Sequence, residues 1–154
     1  MRFFALALFF SLFLVNVASA HCQVPCGIFT DDLRFSLMNE HAETILKCMK
    51  QIDELAKADK PDFNQIVRWT TTKDYHADDI IDICSNYFLC QRVKTPADPK
   101  NAQEQAAYGN KLELLHKLMV IAMKCKQSTD AGLVDQLKAL IHDFERAYNP
   151  EHKH

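Results

Sequence analysis

The residues best suited to chemistry are concentrated in one short stretch, residues 21–27, which read HCQVPCG. If the chain began at His21, this stretch would offer a metal four in-plane donors. These are the free α-amine, the deprotonated amide nitrogen of Cys22, and the thiolates of Cys22 and Cys26. Pro25 and Gly27 favour the turn that would bring Cys26 back to close the square. A planar site of two nitrogens and two sulfurs favours Ni(II) or Cu(II), whereas zinc prefers a tetrahedron.

The same donors predict redox chemistry. Two thiolates and an amidate donate enough charge to bring trivalent nickel within reach, and the imidazole of His21 would stabilise that state as an axial ligand. Copper is disfavoured because Cu(II) tends to oxidise the thiolates that bind it. A metal alternating between two such states can oxidise one superoxide to dioxygen and reduce the next to hydrogen peroxide.

The first twenty residues supply the reason for a chain start at His21. A basic Met1-Arg2 pair precedes an apolar run, residues 3–15, which is too short for a comfortable membrane span. Residues 16–20 read NVASA and place small residues at the positions that signal peptidase requires. Cleavage after Ala20, rather than retention as an anchor, is the prediction. The protein is then exported, to an extracellular, periplasmic or lumenal compartment, and the cut releases the amine that the metal site needs.

The remaining sequence, residues 21–154, is long enough for one domain with a full core. Without Arg2 it keeps 17 of the 18 basic residues against 20 acidic ones, a net charge of −3. It contains no basic block, so nucleic acid is not an expected partner. No later segment is apolar for long enough to span a membrane.

Four segments have the apolar spacing of amphipathic helices. They are expected at about 32–58, from Pro61 to about Leu89, at about 102–126, and from the turn at 127–130 to about Tyr148. Their predicted apolar positions are, helix by helix, Met38, Ala42, Ile45, Met49, Ile52 and Leu55; Phe63, Ile66, Val67, Ile80, Ile81, Cys84 and Phe88; Ala106, Leu112, Leu115, Met119, Ala122 and Cys125; and Leu133, Leu137, Ile141, Phe144 and Tyr148. Residues 93–99 form the clearest loop. Mostly short connections predict an all-α, up-down four-helix bundle as the default architecture.

Residues 21–29 resemble the "nickel hook" of nickel-containing superoxide dismutases, which reads H-C-x-x-P-C-G-x-Y. The resemblance implies that His21, Cys22 and Cys26 bind one nickel ion per subunit, with the His21 ring as the axial ligand of oxidised nickel. It implies a cis bond at Pro25, a turn at Gly27, a four-helix bundle and a homohexamer. The activity implied is disproportionation of superoxide.

One position departs from the family pattern. Phe29 occupies the place of the tyrosine whose hydroxyl, in the family, helps to hold water and anions near the open face of nickel. Phenylalanine keeps the ring and loses the hydrogen bond. Activity is therefore expected to survive with altered handling of anions or peroxide. Glu40 and Arg68 are candidates for the groups that orient the axial imidazole.

The other four cysteines are interpreted as structural. Because Cys48 and Cys125 are expected at one end of the bundle and Cys84 and Cys90 at the other, the predicted disulfides are Cys48–Cys125 and Cys84–Cys90. The second requires the helix to unwind before Cys90.

The histidines of the body are interpreted as ordinary helix residues, because they show no metal-ligand spacing among themselves. They are His41, His76, His116 and His142.

Two alternatives remain open at this point. One is a secreted nickel- or copper-binding protein with the same hook but no turnover. The other is a secreted helical interaction protein whose six cysteines all form disulfides.

Overall fold

A computed structural model of the chain describes residues 30–149. Helix α1 spans Asp31–Ala56, α2 spans Phe63–Asp82, α3 spans Ala102–Lys126 and α4 spans Gly132–Tyr148. From Asp82 the second helix continues directly as a π-helical segment, Ile83–Arg92. The predicted all-α four-helix bundle is confirmed, and every predicted helix boundary in the described residues except the end of the second lies within two or three residues of the observed one. None of the helices in this part of the chain is both long and apolar enough to cross a membrane.

The core is built from the apolar faces that the helical spacing predicts. Of the apolar positions predicted for α1, four are buried: Met38, Ala42, Ile45 and Met49. The other helices close over them with residues that are also almost fully buried: Ile80, Cys84, Phe88, Leu115, Ala122, Cys125, Leu137, Ile141 and Phe144. At about 25 cal/mol per Å² of apolar surface removed from water, this shared core is the main force that holds the four helices together.

Polar side chains mark where two of the helices begin. The Asp62 carboxylate accepts a hydrogen bond from the backbone N–H of Gln65 at 3.1 Å. The Asn101 side chain accepts from the N–H groups of Gln103 and Glu104 and donates to the Glu104 carboxylate. These contacts satisfy N–H groups that have no partner inside the helix, so α2 and α3 begin where the sequence supplies a cap.

The sequence interpretation was wrong at the start of α2, where Phe63 and Val67 were expected on the apolar face. Phe63 is 72% exposed and Val67 is 62% exposed. The reason is that α3 ends beside Lys73 of α2, whose side chain contacts the last carbonyls of α3. Phe63 lies ten residues, about 15 Å of helix, before Lys73 and therefore extends past the end of α3.

The cysteines of the bundle also differ from the prediction. Cys48, Cys84, Cys90 and Cys125 are free thiols, and neither predicted disulfide is present. For Cys84 and Cys90 the cause is the continuous helix, which does not unwind before Cys90. Cys84 faces the core while Cys90 is exposed. Cys48 and Cys125 are fully buried and pack as small apolar side chains.

Candidate metal centre and the helical surface beside it

The predicted metal-binding and catalytic residues precede the first described residue. They are His21, Cys22, Pro25, Cys26, Gly27 and Phe29, and they lie outside the described residues, as do the predicted signal peptide, residues 1–20, and the tail with His152 and His154. The structure does describe the end of the bundle to which this segment is joined, at the start of α1. That end contains a dense polar cluster.

The centre of the cluster is Asp31, the first residue of α1. Its carboxylate accepts hydrogen bonds from the Tyr87 hydroxyl and, at 2.8 Å, from the Tyr148 hydroxyl. Arg92 adds an ion pair, with Nε 3.0 Å from the same carboxylate. We call Asp31, Tyr87, Arg92 and Tyr148 the Asp31 clamp. The clamp ties the first residue of α1 to the end of the second helix and to the last residue of α4.

The π-helical backbone explains why Tyr87 and Arg92 act together. In a π-helix the hydrogen bond runs between residues five apart, as it does from the Val93 N–H to the Phe88 carbonyl at 2.8 Å. Residues 87 and 92 therefore lie on the same face, and Arg92 donates to the Tyr87 hydroxyl from Nε at 3.2 Å and Nη2 at 3.0 Å. In an α-helix, with 3.6 residues per turn, the two side chains would point about 140° apart. This pair was not predicted from the sequence because no α-helical spacing connects residues 87 and 92.

Electrostatics keep both tyrosines of the clamp protonated. Burial and the hydrogen bond to Asp31 raise the pKa of Tyr148, and the same two causes raise the pKa of Tyr87. The guanidinium carbons of Arg34 and Arg92 lie 4.9 and 5.1 Å from the centre of the Tyr87 ring, a cation–π arrangement. A protonated hydroxyl can donate, so both tyrosines remain donors to the carboxylate over the neutral pH range.

A cleft of about 310 Å³ opens beside the clamp, between α1 and the second helix. Its walls combine one guanidinium with two carboxylates and an amide. The lining residues are Arg34, Leu37, His41, Asp79, Asp82, Ile83, Asn86 and Tyr87. A cleft lined by groups of both charges can bind polar groups, and it shares Tyr87 with the clamp.

At one wall of this cleft, two histidines of different helices meet. His41 Nδ1 of α1 lies 2.7 Å from His76 Nδ1 of α2, and 3.8 Å from the Asp79 Oδ2 carboxylate oxygen. Burial lowers the pKa of His41; the neighbouring Asp79 opposes this shift and His76 adds to it. The interpretation of His41 and His76 as unrelated helix residues is therefore wrong. The His76-x-x-Asp79 spacing on one helical face was visible in the sequence, whereas His41 is added by the packing of the two helices.

Glu40 and Arg68 were candidates for orienting the imidazole of His21, which lies outside the described residues, so their role stays a prediction. Glu40 and Arg68 are both exposed, and Arg68 lies eight residues, about 12 Å of helix, before His76 on α2. His116 and His142 are exposed on α3 and α4, as expected of ordinary helix residues.

Comparison with known proteins identifies the family of this chain. Residues 16–153 match the family model of nickel-containing superoxide dismutase. The chain belongs to that family. No curated protein and no solved structure gave a match.

Membership in the nickel-containing superoxide dismutase family confirms several expectations. The protein is a nickel-dependent oxidoreductase, its cofactor is nickel and its substrate is superoxide. This result excludes the two alternatives, a metal-binding protein without turnover and a helical interaction protein. The second alternative also required disulfides that the four body cysteines do not form.

Proposed function

We propose that the mature chain begins at His21 and disproportionates superoxide at a nickel ion bound by the hook, residues 21–29. The ligands are the α-amine and imidazole of His21, the amide nitrogen and thiolate of Cys22, and the thiolate of Cys26. Bound in this set, nickel supplies one-electron chemistry between its divalent and trivalent states. Pro25 and Gly27 turn the chain so that both thiolates reach the same ion.

The observation that carries this proposal is the position of the other cysteines. A redox-active nickel site needs thiolates to lower the potential of the metal. Within residues 30–149, Cys48, Cys84 and Cys125 are buried in the bundle and Cys90 is alone at the surface. The only group in that range with metal-binding geometry consists of His41, His76 and Asp79 and contains no sulfur. Cys22 and Cys26 are thus the pair left to supply two thiolates.

The Asp31 clamp supports a hook that is held against the bundle. Cys26 precedes Asp31 by five residues, so the chain keeps its thiolate within about 17 Å of the clamp. Because three side chains fix Asp31, the point from which the hook departs is fixed too. We infer that the clamp limits the volume that the hook explores and so favours the geometry that binds nickel.

Phe29 would change how the site handles anions without being required for turnover. A phenyl ring near the open face of the metal excludes water but cannot donate to an anion. Phe29→Tyr is therefore expected to strengthen inhibition by small anions such as azide, measured as the inhibitor concentration that halves the rate. An unchanged azide sensitivity would contradict a position of Phe29 beside the metal.

Assembly and export belong to the same proposal. Phe63 and Val67 leave an apolar patch exposed, and large exposed apolar side chains are typical of protein contacts. We propose that residues 21–154 form one domain that assembles into a homohexamer through contacts including this patch. Release of residues 1–20 places it in an extracellular, periplasmic or lumenal compartment. Sedimentation and the mass of the exported protein test these two statements.

A matched pair of cysteine variants tests the metal site. Cys22→Ser removes one proposed thiolate, and Cys90→Ser removes an exposed thiol of the bundle with the same change of atom. Nickel content and superoxide turnover are measured on both mature proteins. We expect Cys22→Ser to lose nickel and turnover, while Cys90→Ser keeps both. Full turnover in Cys22→Ser would overturn the hook assignment.

A further inference from the structure

The group formed by His41, His76 and Asp79 has a geometry that the proposed nickel site does not use. The two Nδ1 atoms are 2.7 Å apart, and all three ligand atoms lie within 4.8 Å of one another. At that separation one proton at most fits between the two nitrogens. The nitrogen that does not carry this proton must direct its lone pair towards it. A cation can take the place of the proton between the two nitrogens.

The distances are close to those that a metal ion would impose. With metal–nitrogen bonds of about 2.0–2.1 Å, two imidazoles on one ion stand roughly 2.9 Å apart in octahedral geometry and 3.4 Å apart in tetrahedral geometry. For a four-coordinate ion the pair at 2.7 Å therefore needs to open by about 0.7 Å, a change that side-chain rotation can supply. The Asp79 oxygen, 3.8 Å from His41 Nδ1, needs to approach that nitrogen by about 0.4 Å.

The surroundings suit a bound ion that water can reach. The His41 side chain is 15% exposed and that of Asp79 is 30% exposed, so the ligands are partly desolvated. Both residues line the cleft of about 310 Å³, which gives an ion an entry path and room for a water ligand.

The geometry points to a second metal site at His41, His76 and Asp79, one that binds a borderline divalent ion, Zn²⁺ first, with water as the fourth ligand. Two imidazoles and one carboxylate are a ligand set typical of zinc. Without thiolates the set does not favour trivalent nickel, so this site is distinct in chemistry from the hook. Its ligands come from α1 and α2, and an ion there cross-links the two helices beside the cleft.

The test measures Zn²⁺ binding in the full mature chain carrying Cys22→Ser and Cys26→Ser, from which the hook thiolates are absent. Calorimetry on this protein is expected to find one Zn²⁺ per chain at the helical site. Adding His41→Gln or Asp79→Asn is expected to weaken that binding at least about tenfold. The matched control is His142→Gln, because His142 is exposed on α4 and its Nδ1 also lies 3.8 Å from a carboxylate, that of Asp143, away from the group of His41, His76 and Asp79. It should bind zinc like its parent.

A second measurement needs no substitution at the site. In the same hook-deficient protein, Zn²⁺ should shift the imidazole nitrogen resonances of both His41 and His76 and leave those of His142 in place. Absence of zinc binding, or binding that His41→Gln and Asp79→Asn leave unchanged while the imidazole resonances stay fixed, would overturn the proposal. Because the hook thiolates are absent throughout, that result would not affect the proposed nickel chemistry, and failure of the nickel chemistry would not affect this site.

Discussion

Two charged side chains are held by several partners at different levels of the bundle, and their surroundings differ. Asp31, the first residue of α1, is partly exposed and receives three donors from two other elements. Lys73, near the last turn of α3, is 2% exposed and donates to the carbonyls of Cys125 and Lys126, each at 2.6 Å. Asp31 fixes the start of α1, next in sequence to the proposed hook, whereas Lys73 caps a helix end. Asp31 is therefore expected to affect nickel binding, and Lys73 is expected to affect the stability of the bundle.

The largest expected effect on stability is that of Lys73→Met. The substitution leaves two carbonyls at the end of α3 without their donor and removes a cation from the negative end of the helix dipole. We expect the free energy of unfolding to fall by about 2–3 kcal/mol, measured by urea denaturation. Superoxide turnover per bound nickel should not change.

Lys126→Met is the matched control for this prediction. Lys126 Nζ pairs with the exposed Asp78 carboxylate at 2.6 Å, and such surface pairs contribute less than about 1 kcal/mol. If both variants lost the same stability, the buried cap would have no special role.

Asp31→Ala is expected to have a smaller effect on stability and a larger one on function. It leaves Tyr87, Tyr148 and Arg92 without their common acceptor, at a cost of about 1–2 kcal/mol. Nickel affinity and turnover per chain should fall in addition, because the hook loses its fixed origin. Tyr148→Phe, which removes one of the three donors, should fall between Asp31→Ala and the unmodified protein.

The clamp would be purely structural if Asp31→Ala lost stability while nickel affinity stayed unchanged. Asp31 and Lys73 would then both affect only the stability of the bundle, and the proposed difference between them would be absent.

The buried thiols predict how stability depends on alkaline pH. Burial raises the pKa of Cys84 from 9.0 to about 12, so between those values the unfolded chain releases a proton that the folded chain keeps. Stability contributed by this thiol is complete below pH 9 and is lost as pH rises towards 12, by up to about 1.4 kcal/mol per pH unit. Denaturation from pH 8 to 11 should show a steeper loss for the parent than for Cys84→Ala. An equal loss of stability with pH in the two proteins would contradict a raised pKa of Cys84.

Thiol labelling gives the smallest effect and distinguishes the two regions. Cys90 is exposed, whereas burial raises the pKa of Cys125 to about 11 although Lys73 opposes the rise. In the folded bundle a thiol reagent at pH 8 should modify Cys90 first. Lys73→Met should then speed the labelling of Cys48 and Cys125 by loosening the end of α3, while Cys84 stays protected. Uniform labelling of all four would contradict the burial pattern.

The sequence was sufficient for the features that depend on local spacing. Helical periodicity located the bundle and most of its buried positions, such as Ile45 and Ile141. The pairing of Tyr87 with Arg92 was not predicted because it depends on π-helical geometry. The contacts of Asp31 and the pair of His41 and His76 were not predicted because they depend on how different helices align. Phe63 was misplaced because periodicity gives a direction on a helix but not the length of the helices around it.

For the candidate site, the sequence predicts the donor atoms of the hook, and the structure adds the surface from which it departs. The family was also predictable from residues 21–29, because the residues that resemble the family's metal-binding motif follow one another closely in the sequence. The disulfide interpretation failed because export and an even cysteine count indicate pairing only when cysteines face each other at the right distance.

The most direct test of the account compares the mature protein starting at His21 with the same protein carrying one extra alanine before His21. The extra residue converts the proposed amine ligand into an amide and leaves every other donor in place. We predict that the extended protein loses superoxide turnover and the axial-nitrogen signal of trivalent nickel, while circular dichroism shows an unchanged helical bundle. Full turnover in the extended protein would contradict the claim that the amino group of His21 binds the metal.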